Sequence, residues 1–281
     1  MTTITTTIST TPPASKIRAV VFDWAGTIVD FGSLAPMGAF VRLFAQHGIA
    51  ISMAQARIPM GLPKLAHIEA LGAMPEIAAQ WQLMKGRSFS AQDAAALLRE
   101  FVPMSAASAL ELSDFIPGFM DSYAWLQQQG IAVATTTGYT RFIMEPLIAK
   151  AAQAGFAPAR VICCDDVTHS RPSPLGMQEC MTTLGLAGQN QSVVKVDDTA
   201  PGLQEGINAG CWTVGVAASG NALGWSWQQW VQASEDQRAR ALVQARGALR
   251  AAGAHEVINS VADLRSALAA IEARLTAGQT P

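Results

Sequence analysis

Charge is scarce in this chain, cysteine is scarcer, and no apolar run is long. Only 14% of the 281 residues are charged, and the formal net charge is -2. Without a basic excess there is little to neutralise a phosphate backbone, so nucleic-acid binding is not expected. The four cysteines, Cys163, Cys164, Cys180 and Cys211, lack the paired spacing of a zinc site. Neighbouring Cys163 and Cys164 argue against a disulfide framework, and a reducing cytoplasm is the expected location. No apolar stretch reaches the roughly 18 to 20 residues that a membrane span needs, so no membrane association is expected. Residues 1–15 are rich in Thr and Ser and lack the basic start and apolar stretch of a secretory signal. They are expected to form a disordered tail. Half of the residues are hydrophobic, enough for a sizeable core and an inserted unit.

Short apolar runs recur along the chain and read as strands: Ile17 to Asp23, Ile131 to Thr137, Val161 to Asp165, Ser192 to Asp198 and Cys211 to Ala217. Runs of this kind suit strands buried on both faces of a parallel sheet. Helical stretches separate the later strands: 118–129, 140–154, 173–184 and 199–209. Each ends at a glycine, where a left-handed cap carries little strain. The alternation predicts a doubly wound, Rossmann-like α/β core. From about Ser33 to Ala109 the pattern is helical only, with helices expected at 34–47, 52–57, 63–71, 75–84 and 91–109. That is far beyond a loop and reads as an all-helical cap domain, residues 33–109, inserted into a core of residues 16–32 and 110–281. A last strand is expected at His255 to Asn259.

Ligands of open α/β sheets gather at the carboxyl ends of the strands. The residues there are Asp23, Thr137, Asp165 with Asp166, and Asp197 with Asp198, with Arg171 shortly after the third strand. A carboxylate such as Asp23 can attack phosphorus and form an aspartyl phosphate. A divalent cation would relieve the repulsion between that anion and a phosphoryl group. Magnesium prefers oxygen ligands, and Asp23, Asp198 and the backbone carbonyl of Ala25 could supply them. Thr137 and Gly138 could hold phosphoryl oxygens, and Arg171 could supply a bidentate positive charge. Each residue alone also reads as ordinary structure: a strand end, a turn hydroxyl, a surface arginine.

Taken together, Asp23-Trp24-Ala25-Gly26-Thr27, Thr137, Arg171 and Asp197-Asp198 resemble, in order and position, the four motifs of the haloacid dehalogenase superfamily. One departure narrows the resemblance. Most phosphatases of that superfamily carry a second Asp two residues after the nucleophile, as general acid. Ala25 stands there and cannot transfer a proton. Phosphonoacetaldehyde hydrolases share this Ala, and Pro59-Met60-Gly61-Leu62-Pro63-Lys64-Leu65-Ala66-His67 resembles their cap segment. So do Thr136 to Arg141, with Tyr139, and Gly210 to Gly215.

The resemblance implies a carbon–phosphorus hydrolase acting on phosphonoacetaldehyde in 2-aminoethylphosphonate degradation. It implies Mg2+ as cofactor, a homodimer and a small-molecule substrate. It casts Asp23 as nucleophile, Lys64 as Schiff-base lysine and His67 as an aid to proton transfer. Met60, Gly61, Thr137, Gly138, Tyr139 and Arg171 would bind substrate. Trp24 would shape the pocket wall, with Thr27 and Asp197 supporting the metal. Attack by Lys64 needs the neutral amine, so its pKa is expected to fall from about 10.4 to about 7 to 8 under a closed cap. Gly202 departs from the superfamily, many of whose members place an acidic residue in that area. Trp81, Trp125, Trp225, Trp227 and Trp230 read as packing residues. The rival readings are a magnesium-dependent phosphatase or phosphomutase of the same superfamily, a 2-haloacid dehalogenase, and a catalytically silent binding protein.

Overall fold

A computed structural model describes residues 15–281. The tail expected for residues 1–15 lies outside the described residues, apart from Ser15, whose hydroxyl donates to Glu272 at 2.9 Å. The chain begins with strand β1 (Ala19–Phe22). It then makes five helices in a row: α1 (Leu34–Gln46), α2 (Met53–Arg57), α3 (Lys64–Gly72), α4 (Pro75–Lys85) and α5 (Ala91–Glu111). Alternation follows: α6 (Phe119–Gln128), β2 (Ala132–Thr136), α7 (Arg141–Gln153), β3 (Arg160–Ile162), α8 (Leu175–Thr183), β4 (Val193–Asp197), α9 (Ala200–Asn208) and β5 (Trp212–Val216). It ends with α10 (Trp227–Gln232), α11 (Glu235–Ala251), β6 (Glu256–Ile258) and α12 (Leu264–Thr276).

The six strands form one sheet in the order β3-β2-β1-β4-β5-β6, with every pairing parallel. This is the doubly wound arrangement that the sequence pattern predicts. Side chains alternate across a strand. Val20 and Phe22 therefore join one core with Phe119, Ile143 and Leu264, while Ala19 and Val21 join another with Met177 and Cys180.

The five consecutive helices bury a separate cluster that includes Phe40, Phe44, Leu71, Trp81, Leu97 and Phe101. Phe40 and Phe101 stack with centroids 4.2 Å apart. Each such buried phenylalanine contributes roughly 1.5 to 3 kcal/mol over an exposed one. Helix α5 runs to Glu111, past the expected end at Ala109, and packs on α7 of the sheet half.

The strands are shorter than the apolar runs suggest, and the difference matters. Asp23, Thr137 and Asp198 each fall one residue beyond β1, β2 and β4. Their side chains are thus released at the carboxyl edge of the sheet instead of being committed to a face. Strand β3 stops at Ile162, so Asp165 and Asp166 do not end a strand. They serve α7 instead. Asp165 accepts from the Arg141 backbone N–H at 2.8 Å, and Asp166 pairs with the Arg141 guanidinium.

Candidate active site

The carboxyl edge of β1, β2 and β4 meets the loop before α3 across a narrow cavity of about 30 Å³. From the sheet side it is lined by Asp23, Ala25, Thr137, Gly138, Tyr139 and Arg171. From the helical side Met60, Gly61 and Lys64 close it, with Ser33, Pro36 and Thr199 completing the wall. An amine on the helical insertion and a carboxylate on the sheet thus share one small space.

The sheet side is a dense ionic cluster. The Arg171 guanidinium reaches Asp23 Oδ1 at 2.8 Å, Asp197 at 3.3 Å and Glu205 at 3.1 Å, and also donates to the Thr136 carbonyl at 2.8 Å. The Lys195 ammonium lies 3.2 Å from both Asp197 and Glu205 and donates to Thr136 Oγ1 at 2.5 Å. All of these residues are buried. Neither Lys195 nor Glu205 emerges from the motif reading. Lys195 had a visible signal, since a charged residue inside an apolar strand buried on both faces requires partners. Glu205 had none, being one acidic residue of an ordinary helix.

Asp198 is held differently. Among the described residues it accepts only from neutral donors, the Asn221 backbone N–H at 2.7 Å and Thr27 Oγ1 at 3.4 Å. Asp23, Asp197 and Asp198 offer ligand atoms within 4.8 Å of one another, a set able to hold a metal ion. Fully ionised, Asp23, Asp197, Asp198 and Glu205 would carry two more negative charges than Arg171 and Lys195 neutralise. Burial and the nearby Asp23 and Asp197 push the Asp198 carboxyl well above the usual range. Asp23 rises to about 6 through burial and Asp197, against the opposing pull of Arg171 and Lys195. A divalent cation would match that surplus of charge. Asp197 is already bound by Arg171, Lys195 and the N–H and hydroxyl of Thr199, whereas Asp23 and Asp198 are the less committed carboxylates.

The glycine at 202 has a local reason. A Cβ built there would lie 2.0 Å from Asp197 Oδ2, so the first turn of α9 approaches that carboxylate as only glycine can. No acidic side chain fits at that position. The acid of this helix stands one turn on, at Glu205, and serves Arg171 and Lys195.

Thr137 Oγ1 accepts from the Tyr139 backbone N–H at 3.1 Å. Burial and the carboxylates Asp30, Asp23 and Asp198 push the Tyr139 phenol well above its usual pKa, so it stays protonated. Gly61 belongs to the opposite wall. It adopts φ 91°, and a Cβ there would meet Thr199 Oγ1 at 2.6 Å, so the loop before α3 presses directly on the start of α9.

The helical side carries little charge. Pro63 stands before the first residue of α3, Lys64, whose side chain is only about 5% exposed. Its Nζ lies 5.1 Å from the Tyr139 ring centroid and 5.8 Å from that of Phe40. It makes no ion pair or hydrogen bond among the described residues, unlike Arg171 and Lys195. Burial pulls its pKa down to about 8, against the partial opposition of Cys164 and Asp23.

His67, one turn along α3, does not line the cavity. It is fully buried, stacks on Phe40 at 3.9 Å, and its Nε2 donates to the Ala56 carbonyl at 2.9 Å. That bond leaves Nδ1 as the free acceptor, and burial with the nearby Lys64 charge drives its pKa down to about 2. Trp24 also departs from expectation. It is not part of the wall, because its indole N–H donates to Thr135 Oγ1 at 2.9 Å and the ring packs on Phe156 inside the core. A buried indole needs a partner for its N–H, and Thr135 supplies one on the core side. Trp227 and Trp230 pack on Phe31, away from the cavity, and Trp225 lies beside Trp230.

Residues 17–210 match the model of the haloacid dehalogenase-like hydrolases. The chain is 44% identical over 265 residues to the phosphonoacetaldehyde hydrolase of Paraburkholderia phytofirmans, covering 94% of this chain and 99% of that one. It is equally similar, over 269 residues, to that of Salmonella agona, covering 95% of this chain and all of the other. The crystal structure of a phosphonoacetaldehyde hydrolase-like protein from Oleispira antarctica superposes with a TM-score of 0.93 at 39% identity, over 95% of this chain and 97% of that one. The chain is a haloacid dehalogenase-like hydrolase and belongs to the phosphonoacetaldehyde hydrolase family.

Proposed function

We propose that this protein hydrolyses the carbon–phosphorus bond of phosphonoacetaldehyde to acetaldehyde and phosphate, using Lys64 and Asp23 from opposite walls of one cavity. The observation that carries the reading is the pairing itself: a buried lysine with no charge partner among the described residues faces a buried carboxylate across a space that fits only a small molecule. The 44% identity to phosphonoacetaldehyde hydrolases supplies the substrate.

Neutral Lys64 attacks the aldehyde carbon, and loss of water leaves an iminium. Asp23 attacks phosphorus while Arg171, Thr137 and the Gly138 and Tyr139 backbone orient the phosphoryl oxygens. The phosphorus–carbon bond breaks, and its electron pair flows into the iminium to give an enamine. That electron sink is what Ala25, lacking a proton to give, leaves the site in need of. Protonation at carbon and hydrolysis release acetaldehyde and regenerate Lys64. Water then cleaves the aspartyl phosphate and frees phosphate and Asp23. Mg2+, held by Asp23, Asp198 and the Ala25 carbonyl, would offset the repulsion between nucleophile and phosphoryl group. Asp197 and Thr27 steady that arrangement. His67, one helical turn behind the amine, acts through Lys64 by fixing α3, its Nε2 tied to the Ala56 carbonyl. Met60 and Gly61 cover the substrate, and residues 33–109 act as a cap that closes for imine formation and opens for release. Four unpaired cysteines suit a reducing cytoplasm, and the family resemblance adds a homodimer.

Borohydride added during turnover should reduce the imine and fix the two-carbon fragment to Lys64, as read by peptide mass spectrometry. Release of phosphate with no lysine adduct, undiminished in Lys64→Arg, would instead mark a phosphatase.

A further inference from the structure

Helix α2 ends in a residue that none of the motifs includes. The Arg57 guanidinium leaves the helical insertion and seats on the sheet half. It donates to the Gly32 carbonyl at 2.9 Å, the Gly224 carbonyl at 3.0 Å and Asn221 Oδ1 at 3.2 Å. These acceptors belong to the crossover at residue 32 and to the loop that follows β5. The same loop touches the catalytic side three times. Asn221 donates its backbone N–H to Asp198 at 2.7 Å, Ser219 Oγ donates to the Gly26 carbonyl at 2.9 Å, and the Ser219 carbonyl accepts from the Gly32 N–H at 2.7 Å. Burial works against the Arg57 charge, and Asp198 and Asp30 on the sheet side partly offset it. A planar fork on backbone carbonyls is a geometry that lysine cannot reproduce.

We propose that Arg57 is a positioning residue: it clasps the helical insertion shut over the cavity and, through the 219–224 loop, fixes Asp198 for the metal. This rests on the closing insertion and metal site described under Proposed function. Arg57 touches no reacting atom in that scheme, so its loss should act on closure and on the metal.

Two measurements on the full chain test it without substrate. In the metal-free protein, a short pulse of amine acetylation is read at Lys64 by mass spectrometry. Separately, Mg2+ is titrated calorimetrically. Arg57→Ala should melt within a few degrees of the parent, label Lys64 about tenfold faster as the open state gains population, and bind Mg2+ about tenfold more weakly. Added guanidinium ion should restore part of both. Arg57→Lys and Asn221→Ala should shift labelling in the same direction by less, and they carry the test if Arg57→Ala fails to fold. Unchanged labelling in folded variants overturns the clasp, and unchanged Mg2+ affinity overturns its hold on Asp198. Neither readout needs phosphonoacetaldehyde. Failure of the parent to hydrolyse that compound would therefore sink the proposed function while leaving the clasp to be judged on its own.

Discussion

The two walls of the cavity treat charge in opposite ways. On the sheet side, Arg171 and Lys195 are surrounded by Asp23, Asp197 and Glu205, every cation at hydrogen-bonding distance from acids. On the helical side, Lys64 lies against the rings of Tyr139 and Phe40 with no ion partner among the described residues. Both settings are buried, yet they yield different chemistry. Pairing holds a guanidinium charged and rigid, as the proposed orientation of a phosphoryl group requires. Isolation makes the charged ammonium unfavourable and so favours the neutral amine, the form that the proposed attack on a carbonyl requires. The division of labour follows from which wall supplies counter-charges.

The sharpest way to break that comparison is to disable one wall and read the other. Asp23→Asn should lower phosphonoacetaldehyde turnover by at least about 10⁴-fold, the scale on which nucleophile removal acts. Borohydride trapping at Lys64 should survive in the same variant, because the amine that forms the imine stands on the helical wall and Arg171 and Thr137 remain to hold the phosphoryl group. Loss of trapping together with turnover would show that the two walls do not work separately.

The next test follows from the lowered pKa of Lys64. Its neutral form predominates above about 8, so the single-turnover trapping rate should rise about tenfold per pH unit below that value and level off above it. Between pH 6 and pH 8 this amounts to a change of about 50-fold, because half of the amine is still protonated at pH 8. The same lowering has a stability sign. At pH 7 Lys64 is charged in both the folded and the unfolded chain, so its burial opposes folding, and the penalty is relieved as pH rises from about 8 towards 10.5. Lys64→Met should therefore raise the unfolding free energy at pH 7, on the order of 3 kcal/mol at most, while abolishing trapping. A profile centred near 10 would mean that the helical wall does not isolate the amine.

How much of this was legible beforehand depended on which physical signal each feature leaves in a sequence. The five core strands and the helical insertion write their own periodicity, and the structure follows them to within a few residues. Asp23, Thr137 and Asp198 stand just after strand ends and Arg171 in the loop that follows β3, so their convergence follows from the parallel sheet once the alternation is recognised. Lys64 needed more, because a lysine on a short helix has no periodic signature. Only the segment from Pro59 to His67 and the vacancy at Ala25 pointed to it. Arg57 and Glu205 left no signal at all, since each is defined by carbonyls or ions brought together from distant parts of the chain. Trp24 was misplaced for a related reason. Its position in the nucleophile loop suggested a wall, but the need of its indole N–H for Thr135 turns the ring into the core.

Glu205→Gln tests the paired wall more gently than Asp23→Asn. The amide keeps the volume and can still accept from Arg171, but the charge facing both cations is gone. Arg171 would then lean further towards Asp23 and Asp197, away from the place where it would meet a phosphoryl group. Turnover should fall by about 10 to 100-fold, in line with the loss of a partner behind a charged catalytic group, with the pH dependence of Lys64 trapping unmoved. A shift of that pH profile would couple the walls more tightly than their contacts indicate.

The smallest effect should come from Trp24→Phe, and it bears on where the wall ends. Phenylalanine keeps most of the packing on Phe156 but leaves the Thr135 hydroxyl without its indole donor. The loss of one buried hydrogen bond and a little volume should lower stability by about 1 to 2 kcal/mol, seen as a lower denaturant midpoint. Because the ring does not reach the cavity, turnover and substrate KM should stay within about threefold of the parent, a change worth less than the 1.4 kcal/mol of a tenfold effect. A large rise in KM with unaltered stability would restore Trp24 to the pocket wall. It would also mean that the nucleophile loop rearranges when substrate binds, since only a turn of that loop could bring the indole out of the core.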